Sequence, residues 1–595
     1  MRLIHMRSLM LAVLAGLIGL LAGAAARILY LLIAVAGNLV FHQRLSATLS
    51  SPVGHGLGWA IVVVPALGGL AVGAMARWGS PKIRGHGIPE AMEAVLFNDS
   101  RISARVAVLK PLSAALAIGT GGPFGAEGPI IQTGGALGSL AGQAAHVTPA
   151  ERKVLLACGA AAGMAATFGT PVAAVVFAIE MLLFEFKARS LVPLVIAASV
   201  AATVHQSLLG PGPLFQVAAT DFWSPQALPF YALLGLACGV LAALFGKALY
   251  AVEDAFERLP FHWMWWPAIG GLGVGLIGRF HPEVLGVGYD LISDVLNARL
   301  ALSALLAVVV FKSGALLVSL GSGTSGGLLA PMFLVGAAFG GAFAMVLDAA
   351  FPGLNLSPAA FALVGMAAIF GAASRATLAL ILFAFEITQN YQAILPLMVV
   401  GAIASAVARS LMPNSIMTEK LARRGLSIAQ DYEVDVFHHL AVEQVMSRHP
   451  VTVDAGETLA VVGERIRKNG HALLHQGIVV TEGGMVTGLI TRRDIGRLLA
   501  EGADPATPVG KVATCPAITA HADEPLLAAV GRMLDHDIGR IVVVARDDPR
   551  RLVGYLGRTA LLQARRHHRR QECEIERGWF PAFKGRWGRD GTRLN

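Results

Sequence analysis

The residues best suited to chemistry lie in GTGGPFGAEGPIIQTGGALGS, residues 119–139, where one carboxylate, Glu127, stands among glycines in an otherwise apolar region. An ionisable side chain at bilayer depth is costly, so it marks a functional site by default. Glycines on both sides let the backbone turn with its N–H groups exposed, and Pro129 suits the first turn of a helix. The start of such a helix carries partial positive charge, so this pattern can hold an anion without a lysine. A kinked, closely packed helix whose Glu127 pairs with a neighbour would use the same residues. A second window of the same kind separates the two readings.

That window is GSGTSGGLLAP, residues 321–331. Downstream of each window, GMAATFG at 163–169 recurs as GMAAIFG at 365–371, and each is followed by an apolar run closing on FAIE (177–180) or FAFE (383–386). Order and spacing of the two pieces are kept, which points to an internal repeat whose halves meet at a midplane site. A further glycine turn with proline opening a short helix is GHGIPEAMEA, residues 85–94.

The elements that must position these turns are set by composition. Hydrophobic residues make up 55% and charged residues 14%, with a mean hydropathy of +0.63, against roughly 25% charged in a soluble domain. This is the composition of a polytopic membrane protein, and the polar residues crowd into the last quarter, so a soluble part follows. A first span is expected at 9–41, longer than a signal-peptide core, with its basic end inside, and a second at 57–78. Apolar runs at 152–186, 190–210 and 226–255 follow, several too short or too glycine-broken for the roughly 20 residues that cross hydrocarbon alone. Broken and half-length helices in a membrane surround a binding site. The net charge of +9 lies in loops and tail without aromatic interleaving, so it speaks for anionic lipid and against nucleic acid. The four cysteines have neither metal nor disulfide spacing, which fits a reduced cytosolic face.

GHGIP, GAEGP and GGLLAP, in this order, make residues 10–425 resemble the CLC family of chloride channels and proton-coupled chloride exchangers. The resemblance implies an all-α polytopic fold of about eighteen tilted helices in two inverted halves, with a pore in each subunit of a homodimer. It places the anion where the three helix ends converge, at Gly85, His86, Gly87, Ala126, Leu328, Leu329 and Met417, with the N–H groups of Leu328 and Leu329 as donors. Glu127 matches the family's gating glutamate: ionised, it occupies the anion's own site, and protonated, it swings away and can carry its proton. Chloride or a similar small anion and protons are the implied partners, and no cofactor is required.

Three positions depart from the family pattern. His86 stands where many chloride-moving members have serine, and Met417, in NSIMTEKLARRG, where they have the pore tyrosine. Neutral His86 can donate one N–H to an anion, or it can point away and bond a carbonyl; Met417 suits apolar packing. In FAIEM, Met181 replaces the glutamate that many exchangers use as the inner proton relay, so exchange and passive conduction both stay open. Glu90, Glu180 and Glu386 are expected to be structural carboxylates at helix ends, with Lys110 and Arg375 as neighbours or pore-field charges.

From 442 onward short β-rich runs, an amphipathic stretch at 459–468 and a Gly-Gly turn at 483 repeat once and resemble a pair of CBS modules. The expected organisation is a transport domain at 1–425, a linker at 426–441, a soluble α/β CBS pair at 442–502 and 503–565, and a basic, disordered tail at 566–595. Thr491 and Asp494 stand where a nucleotide-binding module holds phosphate and ribose, so an adenine nucleotide is one expectation, and a purely structural pair the other. The whole is expected in the cell (inner) membrane with modules and tail cytosolic. A CBS-regulated cation transporter would need clustered carboxylates at membrane depth, whereas Glu127 stands alone amid helix starts. No GxxxxGK[ST] or HExxH is present, which argues against an enzyme.

Overall fold

The computed structural model describes residues 2–424, apart from 211, 213, 216, 218–221, 223–226, 352 and 354, together with 437, 440–468, 477–562 and 564. Most of the expected linker, 426–441, and all of the expected tail, 566–595, lie outside the described residues. The chain divides between Leu426 and Ser427 into two units.

The described residues of the first unit form helices joined by turns. Its first half comprises α1 (Arg2–His42), α2 (Val64–Trp78), α3 (Ile88–Phe97), α4 (Ala104–Gly119), α5 (Glu127–Ala144), α6 (Pro149–Phe168), α7 (Pro171–Ala178) and α8 (Ala188–Leu209). The second comprises α9 (Leu228–Glu257), α10 (Trp266–Phe280), α11 (Tyr289–Leu296), α12 (Leu302–Ala307) running through a π turn at Val308–Lys312 into α13 (Ser313–Gly321), α14 (Leu329–Ala350), α15 (Pro358–Ser374), α16 (Thr377–Thr388) and α17 (Ile394–Leu411), with α18 (Glu419–Arg423) closing the unit. Among the described residues seven helical stretches are long and apolar enough to cross a membrane, by length and composition. Packing obeys the repeat: α5 lies on α6 as α14 lies on α15, and α6 on α8 as α15 on α17.

The reason is small residues in register. A Cβ at Gly134 or Gly138 of α5 would overlap the carbonyl oxygens of Gly159 or Leu155, and one at Gly336 or Gly340 of α14 those of Gly365 or Phe361. With lipid offering no hydrophobic drive between helices, such backbone-close contact is what holds them. The apolar run at 152–186 is two helices, because Gly169 turns into a left-handed conformation (φ 69°) and Pro171 starts α7. In the second half α15 continues one turn further and ends on Arg375 (φ 66°), whose guanidinium donates to the carbonyls of Met412 (2.8 Å) and Pro413 (2.6 Å).

Broken helices leave first-turn N–H groups without partners, and burial makes that expensive. The repeat solves this reciprocally. Glu386, at the end of α16, accepts the N–H groups of Val172 (3.1 Å) and Ala173 (2.7 Å) at the start of α7. Glu180, just past α7, accepts that of Ala379 (3.0 Å) at the start of α16. The two glutamates expected at helix ends thus cap each other's half.

Among its described residues the second unit holds two three-stranded sheets. In one, β1 (Thr452–Asp454) pairs parallel to β2 (Gly477–Glu482), which forms a hairpin with β3 (Met485–Thr491) through Gly483 and Gly484, both at positive φ as a tight primed turn requires. In the other, β4 (Thr519–His521), β5 (Arg540–Val544) and β6 (Leu552–Gly557) repeat that order. Helices α19 (Val442–Val445), α20 (Leu459–Lys468), α21 (Arg492–Ala500) and α22 (Leu526–Asp535) accompany them. Val479 and Val486 of the first sheet share a core with Val542, Val544 and Tyr555 of the second, so the modules pack as one body.

Replacing Glu386 by alanine strips both acceptors from the start of α7. A loss of about 1–2 kcal/mol is expected, read as a lowered Tm of the detergent-solubilised chain; an unchanged Tm would show that this cap carries no weight.

Candidate functional site

Three helices of the first unit begin at one place. Gly125 and Gly327 exchange backbone hydrogen bonds, N–H to carbonyl at 2.8 Å one way and 2.9 Å the other, which ties the start of α5 to that of α14. The Gly85 N–H donates to the Thr324 carbonyl (3.1 Å) and the Gly326 N–H to the Gly85 carbonyl (3.4 Å), which ties in α3. Nothing larger than glycine fits: a Cβ at Gly128 would overlap the His86 carbonyl, and one at Gly327 would meet the Gly125 carbonyl oxygen at 2.6 Å. The turns of GHGIP, GAEGP and GGLLAP therefore converge, with Ala126, Leu328 and Leu329 buried at the helix starts. Three positive helix ends directed at a region of low dielectric favour a negative charge there, with no full cation to trap it.

Glu127, the first residue of α5, is fully buried. Its Oε1 accepts the Tyr289 hydroxyl at 2.6 Å, and the Tyr289 oxygen lies 3.0 Å from the Tyr30 hydroxyl. Its Oε2 sits against Gly125 and has no hydrogen-bond partner among the described residues. A carboxylate half satisfied in this way is placed to exchange a proton or to move.

On the α3 side the glycines differ in what they offer. Gly87 caps α3 at φ 91°, and its N–H donates to Glu90 of the same helix (3.1 Å). Glu90 in turn pairs with Lys420 (2.7 Å) on α18, not with Lys110. Lys110, fully buried on α4, donates to the carbonyls of Ile83 (2.9 Å) and Gly85 (2.7 Å), so it braces the turn from behind. His86 is buried beside these charges, and its Nδ1 has no partner among the described residues. Met417 is fully buried in the turn before α18, its N–H donating to Ser415 (3.3 Å), while the carbonyl next to it, on Ile416, takes the Tyr250 hydroxyl (2.7 Å). The Met417 thioether offers no hydroxyl. Met181 is likewise fully buried.

One turn went unrecognised in the sequence. VLGVGYD, residues 284–290, is the second half's version of GHGIP: Gly286 and Gly288 have φ of 65° and 84° where Gly85 and Gly87 have 80° and 91°. Lys312 braces it as Lys110 braces the first, donating to the carbonyls of Val284 (2.7 Å) and Gly286 (2.8 Å). The Gly-x-Gly spacing was the available signal. Without a following proline it did not stand out.

In the second unit Thr491 caps α21. Its hydroxyl donates to Asp494 (2.6 Å) and accepts the Asp494 N–H (3.1 Å), and the carboxylate accepts the Thr491 N–H (3.2 Å). Both expected nucleotide-binding side chains are engaged in a capping box. Among the described residues no group of His, Cys, Asp and Glu is arranged to hold a metal.

A family model described as voltage gated chloride channel matches residues 68–409, and one for the CBS domain matches residues 442–501 and 509–567. The H(+)/Cl(-) exchange transporter ClcA of Vibrio vulnificus (strain YJ016) is 33% identical over 439 residues, covering 70% of this chain and 92% of that one. A crystal structure of a slow cyanobacterial Cl-/H+ antiporter superposes with a TM-score of 0.60 at 27% identity, over 70% of this chain and 98% of the other. A eukaryotic CLC transporter, 20% identical, shares the fold over 93% of this chain and 98% of its own with a TM-score of 0.62.

Gly128→Ala forces α5 away from the His86 carbonyl. Chloride binding measured by calorimetry on detergent-solubilised protein that a melting curve shows to be folded is expected to fall at least tenfold, since about 1.4 kcal/mol suffices for that factor; wild-type affinity would mean that the convergence is not what holds the ion.

Proposed function

We propose, from the premise that this chain belongs to the voltage gated chloride channel family, that it moves chloride, or a small anion like it, across a membrane in exchange for protons. It is a transporter, not an enzyme. The observation that carries the exchange reading is Glu127: one fully buried carboxylate at the start of α5, among three helix ends whose polarity suits an anion. Ionised, it competes with the anion for the same amide N–H groups. Protonated, it loses that attraction, leaves, and takes its proton with it, so one event frees the path and moves a proton the other way.

His86 and Met417 replace the family's serine and tyrosine on the inner side. They leave the preferred anion broader than chloride, with nitrate the first rival. Met181 supports a second reading, a passive chloride channel, because no inner acid stands at that position to receive the proton. A cation transporter has no support, since helix starts around a lone carboxylate repel divalent cations.

The orientation follows from charge: Arg7, bound to Glu151 at 2.7 and 2.9 Å, marks the inner end of α1 and α6, and Phe41 the outer end of α1. This puts His86 and Lys420 on the inner side and VLGVGYD on the outer. The assembly is a homodimer in the cell inner membrane, with lipid around it and the CBS pair in the cytosol. An adenine nucleotide at Thr491 and Asp494 would have to displace the capping box. Titration calorimetry of the full chain with AMP and with ATP is expected to give binding that Asp494→Ala abolishes, and absence of heat with either would make the pair purely structural.

For transport, a chloride gradient is imposed on proteoliposomes and internal pH is followed. The wild type is expected to drive protons with chloride, and Glu127→Ala to abolish proton movement while anion flux persists. Proton movement that survives in Glu127→Ala would remove the glutamate from its role.

A further inference from the structure

Tyr289 opens α11 as Ile88 opens α3, each directly after a Gly-x-Gly turn braced by a buried lysine. The repeat therefore shows what this fold position needs for packing, and Ile88, 1% exposed, meets it with hydrocarbon. In the second half the same position carries a phenol whose hydroxyl lies 2.6 Å from Glu127. Packing does not require that oxygen.

Behind Tyr289 stands Tyr30 of α1, its hydroxyl 3.0 Å away. Because a carboxylate only accepts, Tyr289 donates to Glu127, and its oxygen is left to accept the Tyr30 hydroxyl. The two phenols form a directed chain ending on the charge, and a phenol bonded to an ionised acceptor binds more strongly than one bonded to a neutral group. Past Tyr289 lies a cavity of about 290 Å³ that reaches Asp290, Asp294 and Glu283, on the side where α1 ends at Phe41.

We propose that Tyr289, held by Tyr30, is a clamp on the closed gate: it stabilises Glu127 in its ionised, path-blocking position and sets how readily the gate opens. The clamp rests on the reading of Glu127 as gate and makes Tyr289 a positioning residue. The groups facing Glu127 are few. Among the described residues Tyr289 comes from α11 and Tyr30, behind it, from α1; the starts of α5 and α14 offer backbone N–H groups, at Glu127 and Ala330, and no other titratable side chain, and Lys312 lies under Gly288. Tyr289 is the one side-chain hydroxyl set on the carboxylate among the described residues, and the Tyr30 hydroxyl sits 3.0 Å behind it.

Removal of that donor disfavours the ionised carboxylate where it blocks the path, so protonation and opening come at higher pH. In proteoliposomes, Tyr289→Phe is expected to raise anion flux about tenfold at a pH where the wild type is mostly closed, and to move the flux-against-pH curve about one unit upward. Tyr30→Phe should shift it the same way by less. In a Glu127→Ala background both shifts should vanish, a result that a general loosening of the fold would not give. A wild-type pH curve for a Tyr289→Phe protein of normal Tm, or a shift that persists in the Glu127→Ala background, overturns the clamp. Either result leaves the gate intact so long as Glu127→Ala alone still abolishes proton movement.

Discussion

The structure is governed by one constraint: a small anion must be held where there is little water, by partial charges alone, and must still be able to leave. A lysine at the site would hold too firmly. Helix starts supply fractional charge that cannot be neutralised by proton loss, but only if several are brought within reach of one point. That demand explains why α3, α5 and α14 are short of a full traverse or begin within the unit, and why Gly125, Gly128 and Gly327 tolerate no side chain.

Breaking helices in an apolar setting creates a second problem, loose carbonyl and N–H groups, and the repeat answers it twice over. Lys110 and Lys312 each tie two carbonyls of a Gly-x-Gly turn. Glu180 and Glu386 each cap the other half's helix. These four charged side chains are engaged within the scaffold itself. Glu127 differs from them, since one of its oxygens has a hydroxyl donor and the other has no hydrogen-bond partner among the described residues.

Much of this was readable from residue order. The glycine windows around Glu127 and Leu328, the recurrence of GMAATFG, and the α20 stretch with its Gly-Gly turn all announce themselves locally, by turn chemistry and periodicity. What was hidden depends on partners far apart in sequence. That Glu90 meets Lys420, that Glu386 meets Val172, and that Tyr289 meets Glu127 are facts of packing across the repeat, which no local pattern contains. The fourth turn lacked proline, and the break inside 152–186 was masked by apolar residues on both sides of Gly169. Arg375 was not legible as a helix end, because its left-handed backbone is uncommon for a residue other than glycine and its partners, the carbonyls of Met412 and Pro413, lie far along the chain.

Where the ion sits can be located directly with a heavy halide. Anomalous diffraction from crystals soaked in bromide is the measurement. A bromide peak is expected within hydrogen-bond reach of the amide groups at the starts of α5 and α14, strengthened when Glu127 is replaced by alanine. A peak beside Lys420 or Arg375 with none between those helix starts would contradict it.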